Sequence, residues 1–207
     1  MQSALLTCPH CNAQSEQQLT PFLDLGKHPK QKLAILTDSV FTLTCPSCKK
    51  QYAVMHELLV VDEKQHVAFM LIPDTKLGEV DGKVTGKEEF GQYMLRLVGS
   101  SASLKEKLLL LDNDLDDRVI ELCKLYLSMQ VEEKHVQLFF ADLQKEEQTL
   151  LFTVMDAESH VLGSIECELE LYTQLTETVK AFAVREGYFT KIDQNWAYQQ
   201  IRNSADQ

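Results

Sequence analysis

The sequence predicts an α+β fold in two parts, residues 1–99 and residues 100–207. Three observations lead there. A C-P-x-C hook occurs twice, as TCPHC at 7–11 and TCPSC at 44–48. Pairs of apolar runs separated by short polar turns read as antiparallel hairpins. Two later segments place apolar residues at helical spacing.

The elements follow in chain order. Between the hooks, QLTPFLDLGKHPKQKLAIL is a mixed segment broken by Pro21, Gly26 and Pro29. VFTLTCP (40–46) alternates like a strand entering the second hook. Residues 51–62 and 66–73 flank Asp62-Glu63-Lys64-Gln65 and read as a hairpin. Both runs are apolar on nearly every residue near their ends, which predicts a sheet covered on both faces. Residues 74–89, with three glycines and mixed charges, read as a loop, and 93–98 as a strand. GSSAS then breaks the pattern. Ser103 and Glu106 form a capping-box signature for a helix from Leu104 to about Leu110. Asp114 is the expected cap of a longer helix reaching about Gln130. Its Leu115, Val119, Leu122, Cys123, Tyr126 and Met129 share one side. Asp117, Glu121, Lys124 and Ser128 fill a narrow opposite strip, so this helix is expected to be largely buried. Residues 136–143 and 149–156 form a second hairpin, and 161–169 a further strand. Leu171, Leu175, Val179 and Phe182 set a helical period that ends near Gly187. Asp193 caps a last turn carrying Trp196.

No apolar run approaches the ~18 residues needed to cross a bilayer. The opening MQSALLTCPH has neither a basic start nor an extended apolar stretch, so a cytoplasmic location, with reduced thiols, is expected. The net charge is −11. Residues 1–60 carry five lysines against four acids, so the remaining chain holds −12. Such a body repels phosphate backbones, and nucleic-acid binding would rest on Lys27, Lys30, Lys32, Lys49 and Lys50.

The hooks carry the chemistry. Cys8 and Cys11, then Cys45 and Cys48, stand two apart within each pair, with 33 residues between the pairs. A C-x-x-C on a tight turn turns both sulfurs toward one point. The intervening proline fixes φ and leaves the following amides free to face the sulfurs. Two hooks supply four thiolates, the donor set of a closed structural Zn2+ site, and a zinc-ribbon-like β module is expected around them. Lys49 and Lys50 offset part of the site's double negative charge. Iron in a rubredoxin-like site, a thiol–disulfide pair and unliganded cysteines are the competing readings. His10, inside the first hook, is read as exposed or as a donor outside the ligand set. Cys123 and Cys167 are read as packed core.

Several segments imitate catalytic motifs. LLLLDNDLDD (108–117) resembles the nucleophile loop of haloacid-dehalogenase-like phosphatases, but Leu115 and Asp116 stand where small or β-branched residues belong. As an EF-hand loop it has Asp117 in place of the required glycine and Cys123 in place of the closing glutamate. Acids gathered at a helix start complement its dipole instead. GKVTGKEE (82–89) has one residue too few between its glycines for a phosphate loop, and Glu88 where a hydroxyl must hold magnesium. His56, His66, His135 and His160 are scattered. No catalytic set emerges.

TCPHC, LAILTDSVFTLTCPSCKKQYAV, ELLVVD and LIP together resemble the CpXC domain family, named for its two hooks. MLRLVGSSASLKEKLLLLDNDLDDRVIELCK is similar to that family's R-x-V, leucine-rich helix and D-D-R-x-I-E-x-x-K stretch. The resemblance implies metal ligation by Cys8, Cys11, Cys45 and Cys48 and assigns no cellular role. Many members carry glycine where this chain has Lys49, so a left-handed turn at that position would be strained here. The function expected is a non-enzymatic protein-interaction module with a structural zinc site. A nucleic-acid-binding ribbon, or an enzyme with its site between the two parts, is the alternative. The partner expected is a protein, with no membrane association.

Overall fold

Both hooks sit at the same place in a hairpin. The first lies between β1 (Gln2–Thr7) and β2 (Gln14–Leu19), whose register ends at the pair Thr7 and Gln14. After β3 (Phe22–Asp24) and the short helix α1 (Gln31–Leu36), a 3-10 turn at Ser39–Phe41 leads into β4 (Thr42–Thr44). The second hook separates β4 from β5 (Gln51–Ala53), with Thr44 opposite Gln51. Each antiparallel ladder therefore ends immediately before its hook and resumes two residues after it, and each hook lies in the turn of a ribbon.

The computed structural model describes residues 2–80, 83–131 and 136–205. The chain divides into two units. Unit 1 comprises Met1–Leu104 with Arg185–Thr190, and unit 2 comprises Lys105–Val184 with Lys191–Gln207. Among the described residues, no helix is long and apolar enough to cross a membrane.

In unit 1, β6 (Leu58–Asp62) and β7 (Val67–Leu71) form the antiparallel centre of a four-stranded sheet. β3 lies parallel to β6 at one edge. Helices α2 (Asp74–Val80) and α3 (Lys87–Phe90) precede β8 (Met94–Val98), which lies parallel to β7 at the other edge. Successive residues of β7 and β8 are buried, as the near-continuous apolar runs predict for a sheet covered on both faces. Val61, Ala68, Leu95 and Leu97 form its core with Phe189, which arrives from the returning segment 185–190. There the Leu97 N–H donates to the Thr190 carbonyl at 3.0 Å.

Two expectations for unit 1 are corrected. Residues 51–62 are two strands: β5 pairs with β4, and β6 pairs with β7. The chain breaks around His56, whose ring nitrogens reach the Val54 and Thr20 carbonyls at 3.1 and 3.0 Å. Residues 74–80 are helical, not a loop. Burial of Leu77 in the sheet's core outweighs the loop-like composition.

Unit 2 is built on α5 (Asp117–Ser128), reached through α4 (Ser101–Asp112). A three-stranded antiparallel sheet follows, with β10 (Thr149–Met155) between β9 (Gln137–Gln144) and β11 (Val161–Glu168). Helices α6 (Leu169–Val179) and α7 (Gln194–Ala205) complete it. Leu150, Phe152 and Val154 alternate inward from β10 and join Val119, Ile120 and Cys123 of α5 in one core. Trp196 packs edge-on against Phe182 there, and the Asp193 carboxylate caps α7 by accepting the Trp196 N–H at 2.8 Å.

Three helix boundaries depart from expectation. Asp116, not Asp114, caps α5, its carboxylate accepting the Arg118 N–H at 2.9 Å; Asp114 takes a left-handed φ of 53° in the turn before. The helix α6 ends at Val179, well before Gly187. Gly187 instead has φ 73° in unit 1, where a Cβ would meet Lys87 Cβ at 2.9 Å. The Ser103–Glu106 capping box does not form. Ser100 begins α4, its hydroxyl accepting the Ser103 N–H at 3.1 Å and its carbonyl the Leu104 N–H at 3.1 Å.

Ser100→Ala therefore lowers the unfolding free energy by about 1 kcal/mol, the usual value of a lost helix cap. Urea denaturation followed by circular dichroism measures it. Ser103→Ala, which leaves the Ser100 cap in place, costs less.

Candidate metal centre and a buried charge cluster

Each hook folds by the same backbone bonds. Cys8 N–H donates to the Ala13 carbonyl at 3.0 Å, and Asn12 N–H to the Cys8 carbonyl at 2.9 Å. Cys45 N–H donates to the Lys50 carbonyl at 2.9 Å, and Lys49 N–H to the Cys45 carbonyl at 3.0 Å. Each turn closes through a left-handed residue, Asn12 at φ 58° and Lys49 at φ 63°. Asparagine tolerates that conformation; for lysine it is strained.

The two turns bring four sulfurs together. Cys8 Sγ lies 3.8 Å from Cys48 Sγ, and Cys11 Sγ lies 3.7 Å from Cys45 Sγ. All four lie within 4.8 Å of one another. A tetrahedron with metal–sulfur bonds of ~2.3 Å has edges of ~3.8 Å, so the donor set fits a metal ion of that size. Cys8 and Cys45 are buried, Cys48 half-buried and Cys11 exposed. Among the described residues this is the one group of histidine, cysteine and carboxylate side chains gathered closely enough to hold a metal.

Backbone amides are aimed at the sulfurs. His10 N–H donates to Cys8 Sγ at 3.4 Å. The Cys48 amide, and after it that of Ser47, draws the Cys45 thiol down to about 6 against the desolvation that opposes it. The Ala13 amide pulls Cys11 the same way. Desolvation and hydrogen bonds to the other three sulfurs overcome that pull and push Cys11 up to about 12. Four sulfurs this close do not all ionise unless a cation joins them. Tyr52 of β5 packs beside Cys8 and Cys45. Desolvation, and then the four sulfurs, raise its phenol above the ordinary range.

The remaining candidates fall elsewhere. The His10 side chain is exposed and donates from Nε2 to the Gln51 carbonyl at 3.0 Å. Lys27 forms ion pairs with Asp24 at 3.0 Å and Glu63 at 3.4 Å. The leucine run of LLLLDNDLDD is the end of α4, so no strand delivers Asp112 to a phosphatase-like loop. Gly82 of the phosphate-loop-like stretch and His135 lie outside the described residues. Cys123 and Cys167 are core residues of unit 2, as their patterns predict.

The sequence profile of the CpXC protein family matches residues 6–124, more than half of the chain. The chain belongs to that family. No curated protein and no solved structure gives a significant match. The CpXC match spans both hooks and ends at Lys124.

Lys124 belongs to a charge cluster that sequence reasoning missed. The helix α5 is largely buried, as its broad apolar side predicts, and the burial extends to its polar strip: Asp117, Glu121 and Lys124 are each 5% exposed or less. The helix turns its strip inward because α4 supplies partners. Lys124 Nζ bonds Glu106 at 2.8 Å and Glu121 at 2.9 Å. Lys107 Nζ meets Asp117 at 2.9 Å and Glu121 at 3.6 Å, and donates to the Ile192 carbonyl at 2.9 Å. The second Glu106 oxygen accepts the Phe140 N–H at 2.6 Å, beside a bulge in β9. Meanwhile Tyr126 and Met129, assigned to the apolar side, are exposed. The one available signal was that acids and lysines, Glu106 and Lys107 then Asp117, Glu121 and Lys124, mix on two successive helices.

Desolvation pushes the Glu121 carboxyl up to about 6, against the pull of Lys124 and Lys107 and with the push of Glu106. Desolvation opposes the Lys124 charge, but Glu106 and Glu121 outweigh it and raise its pKa. A carboxyl raised in the folded state stabilises the fold fully below its unfolded value and loses that contribution as pH rises through about 6.

Two outcomes are expected. Stability should gain about 2 kcal/mol from this group as pH falls from 7.5 toward ~4.5, and Glu121→Gln should remove that component of the slope. Urea titrations of both proteins across this range measure it. Lys49→Gly should raise the stability of the metal-loaded protein by about 1 kcal/mol by relieving the left-handed lysine, with a smaller gain for Asn12→Gly.

Proposed function

We propose that this CpXC protein is a non-enzymatic protein-interaction module of the cytoplasm, held together by a structural zinc ion on Cys8, Cys11, Cys45 and Cys48. The observation that carries this reading is the pair of sulfur separations, 3.7 and 3.8 Å, which match the edge of a tetrahedral zinc–thiolate site. Four thiolates fill the coordination sphere. No position is left for water, and the ion supplies folding energy in place of Lewis-acid chemistry. Zinc suits the soft donor set, and a reducing compartment keeps the thiols available to it.

Binding of a structural zinc is worth about 10–16 kcal/mol in small peptides, comparable to the stability of a whole domain. The hairpins β1–β2 and β4–β5 have few large buried residues of their own, so the metal is what fixes them. Large apolar side chains such as Leu5 and Leu33 stand 70% and 64% exposed in unit 1, which supports a role in contacting another protein. A lysine-based nucleic-acid mode is less well supported, because Lys27 is already paired with two acids.

Protein purified without added metal should contain one zinc per chain by elemental analysis, and should be colourless; a red protein would place iron in the site instead. Cys45→Ser should lose the metal. It should also lose the partners that proximity labelling in native cells recovers for the wild type. Labelling that finds no stable partner for the zinc-loaded wild type would remove the interaction reading.

A further inference from the structure

The four sulfurs of the metal centre are not equally accessible. Cys8 and Cys45 are buried and Cys48 is half-buried, whereas Cys11 is exposed. Its neighbours Pro9, His10 and Asn12 are exposed as well, so the outer face of the first hook is open to solvent. Close sulfur contacts also run across the site, from hook to hook. Cys11 Sγ stands 3.7 Å from Cys45 Sγ, and Cys8 Sγ 3.8 Å from Cys48 Sγ. An oxidant attacks a cysteine according to its exposure and its thiolate character. Holding a metal keeps a sulfur deprotonated. At a loaded site all four cysteines therefore meet the second condition, and Cys11 meets the first most fully.

We propose that Cys11 is the oxidant-sensitive ligand of the metal centre: a peroxide oxidises it, Cys45 closes a disulfide onto it across the hooks, and the metal is released. The inference rests on the zinc reading above and adds a regulation to the same four residues. In the first step the Cys11 thiolate attacks one peroxide oxygen. The O–O bond breaks, hydroxide leaves, and Cys11 becomes a sulfenic acid. In the second step the Cys45 thiolate attacks the Cys11 sulfur. An S–S bond forms, the S–O bond breaks, and a second hydroxide leaves. The two sulfurs lose two electrons, the peroxide gains them, and two protons from solvent turn the hydroxides into water. A disulfide is ~2.05 Å long, against the 3.7 Å between these sulfurs, so the bond and the ion exclude each other. Cys8 and Cys48 are half of the donor set of a closed site, too few to keep the metal. The oxidised hooks stay tied to each other by a covalent bond in place of the ion, and reduction of that bond makes the site available again.

The test uses the full-length wild type purified with one zinc per chain and treated with hydrogen peroxide at less than one equivalent. With dimedone present, which caps sulfenic acids, the adduct should appear first on Cys11. Without dimedone, zinc should pass to a chromogenic chelator, one ion for each peroxide consumed. Peptide mapping by mass spectrometry should then find Cys11 joined to Cys45. Cys123 and Cys167, buried in unit 2, should stay reduced at this dose. A phosphine reductant with added zinc should restore the loaded protein. Four results would each overturn this inference and leave the zinc site standing: a first dimedone adduct on another cysteine, a disulfide from Cys11 to a partner other than Cys45, full zinc content after Cys11 is oxidised, or a loss of metal that the reductant does not reverse. Absence of metal from the protein as purified would overturn the zinc reading and this inference together.

Discussion

Four sulfurs held within 4.8 Å of one another cannot all carry charge in the absence of a cation. The amides of one hook draw a proton off Cys45, while the other sulfurs keep one on Cys11. That conflict is built into the backbone. Each hook closes a two-stranded ribbon with the same pair of hydrogen bonds, so the sulfurs are presented whether or not their charge is balanced. An isolated ribbon is marginal in water, and an ion held by all four sulfurs would convert two of them into one unit. The left-handed residue each turn needs is supplied by asparagine in one hook and by lysine in the other.

Unit 2 meets a related problem by another route. Three acids and two lysines are almost fully buried between its elements. No metal is required, because ammonium groups from α4 and α5 stand among the carboxylates and a backbone amide of β9 completes Glu106. Such a cluster adds little net stability over an apolar core. It does punish mispairing, because shifting either helix would leave an unpaired charge in the interior. The CpXC match, residues 6–124, covers the five charged residues of this cluster as well as the four cysteines.

Much of this was legible from residue order. The hooks were readable because ligand spacing is a local property: two residues between cysteines place both sulfurs on one turn. The α+β class was readable because the strands of unit 1 and the helix α5 carry their periods in consecutive residues. The illegible features depended on distant partners. Glu106 looked like a capping residue because Ser103 stands three positions before it; its actual partners, Lys124 and the Phe140 amide, lie 18 and 34 positions further along. The segment around Leu77 looked like a loop because its glycines and charges say nothing of the sheet that Leu77 reaches.

The sequence by itself determined the four-cysteine donor set, the turns that present it and the alternation that makes ribbons and helices, since each depends on neighbours within a few residues. Only the tertiary structure decided that the two hooks face each other, that Tyr52 lies beside the sulfurs, and that the polar strip of α5 points inward. Those outcomes come from pairing groups that are far apart in the chain. Whether a charge is exposed or buried is settled by the partner that reaches it, and no local pattern encodes that partner.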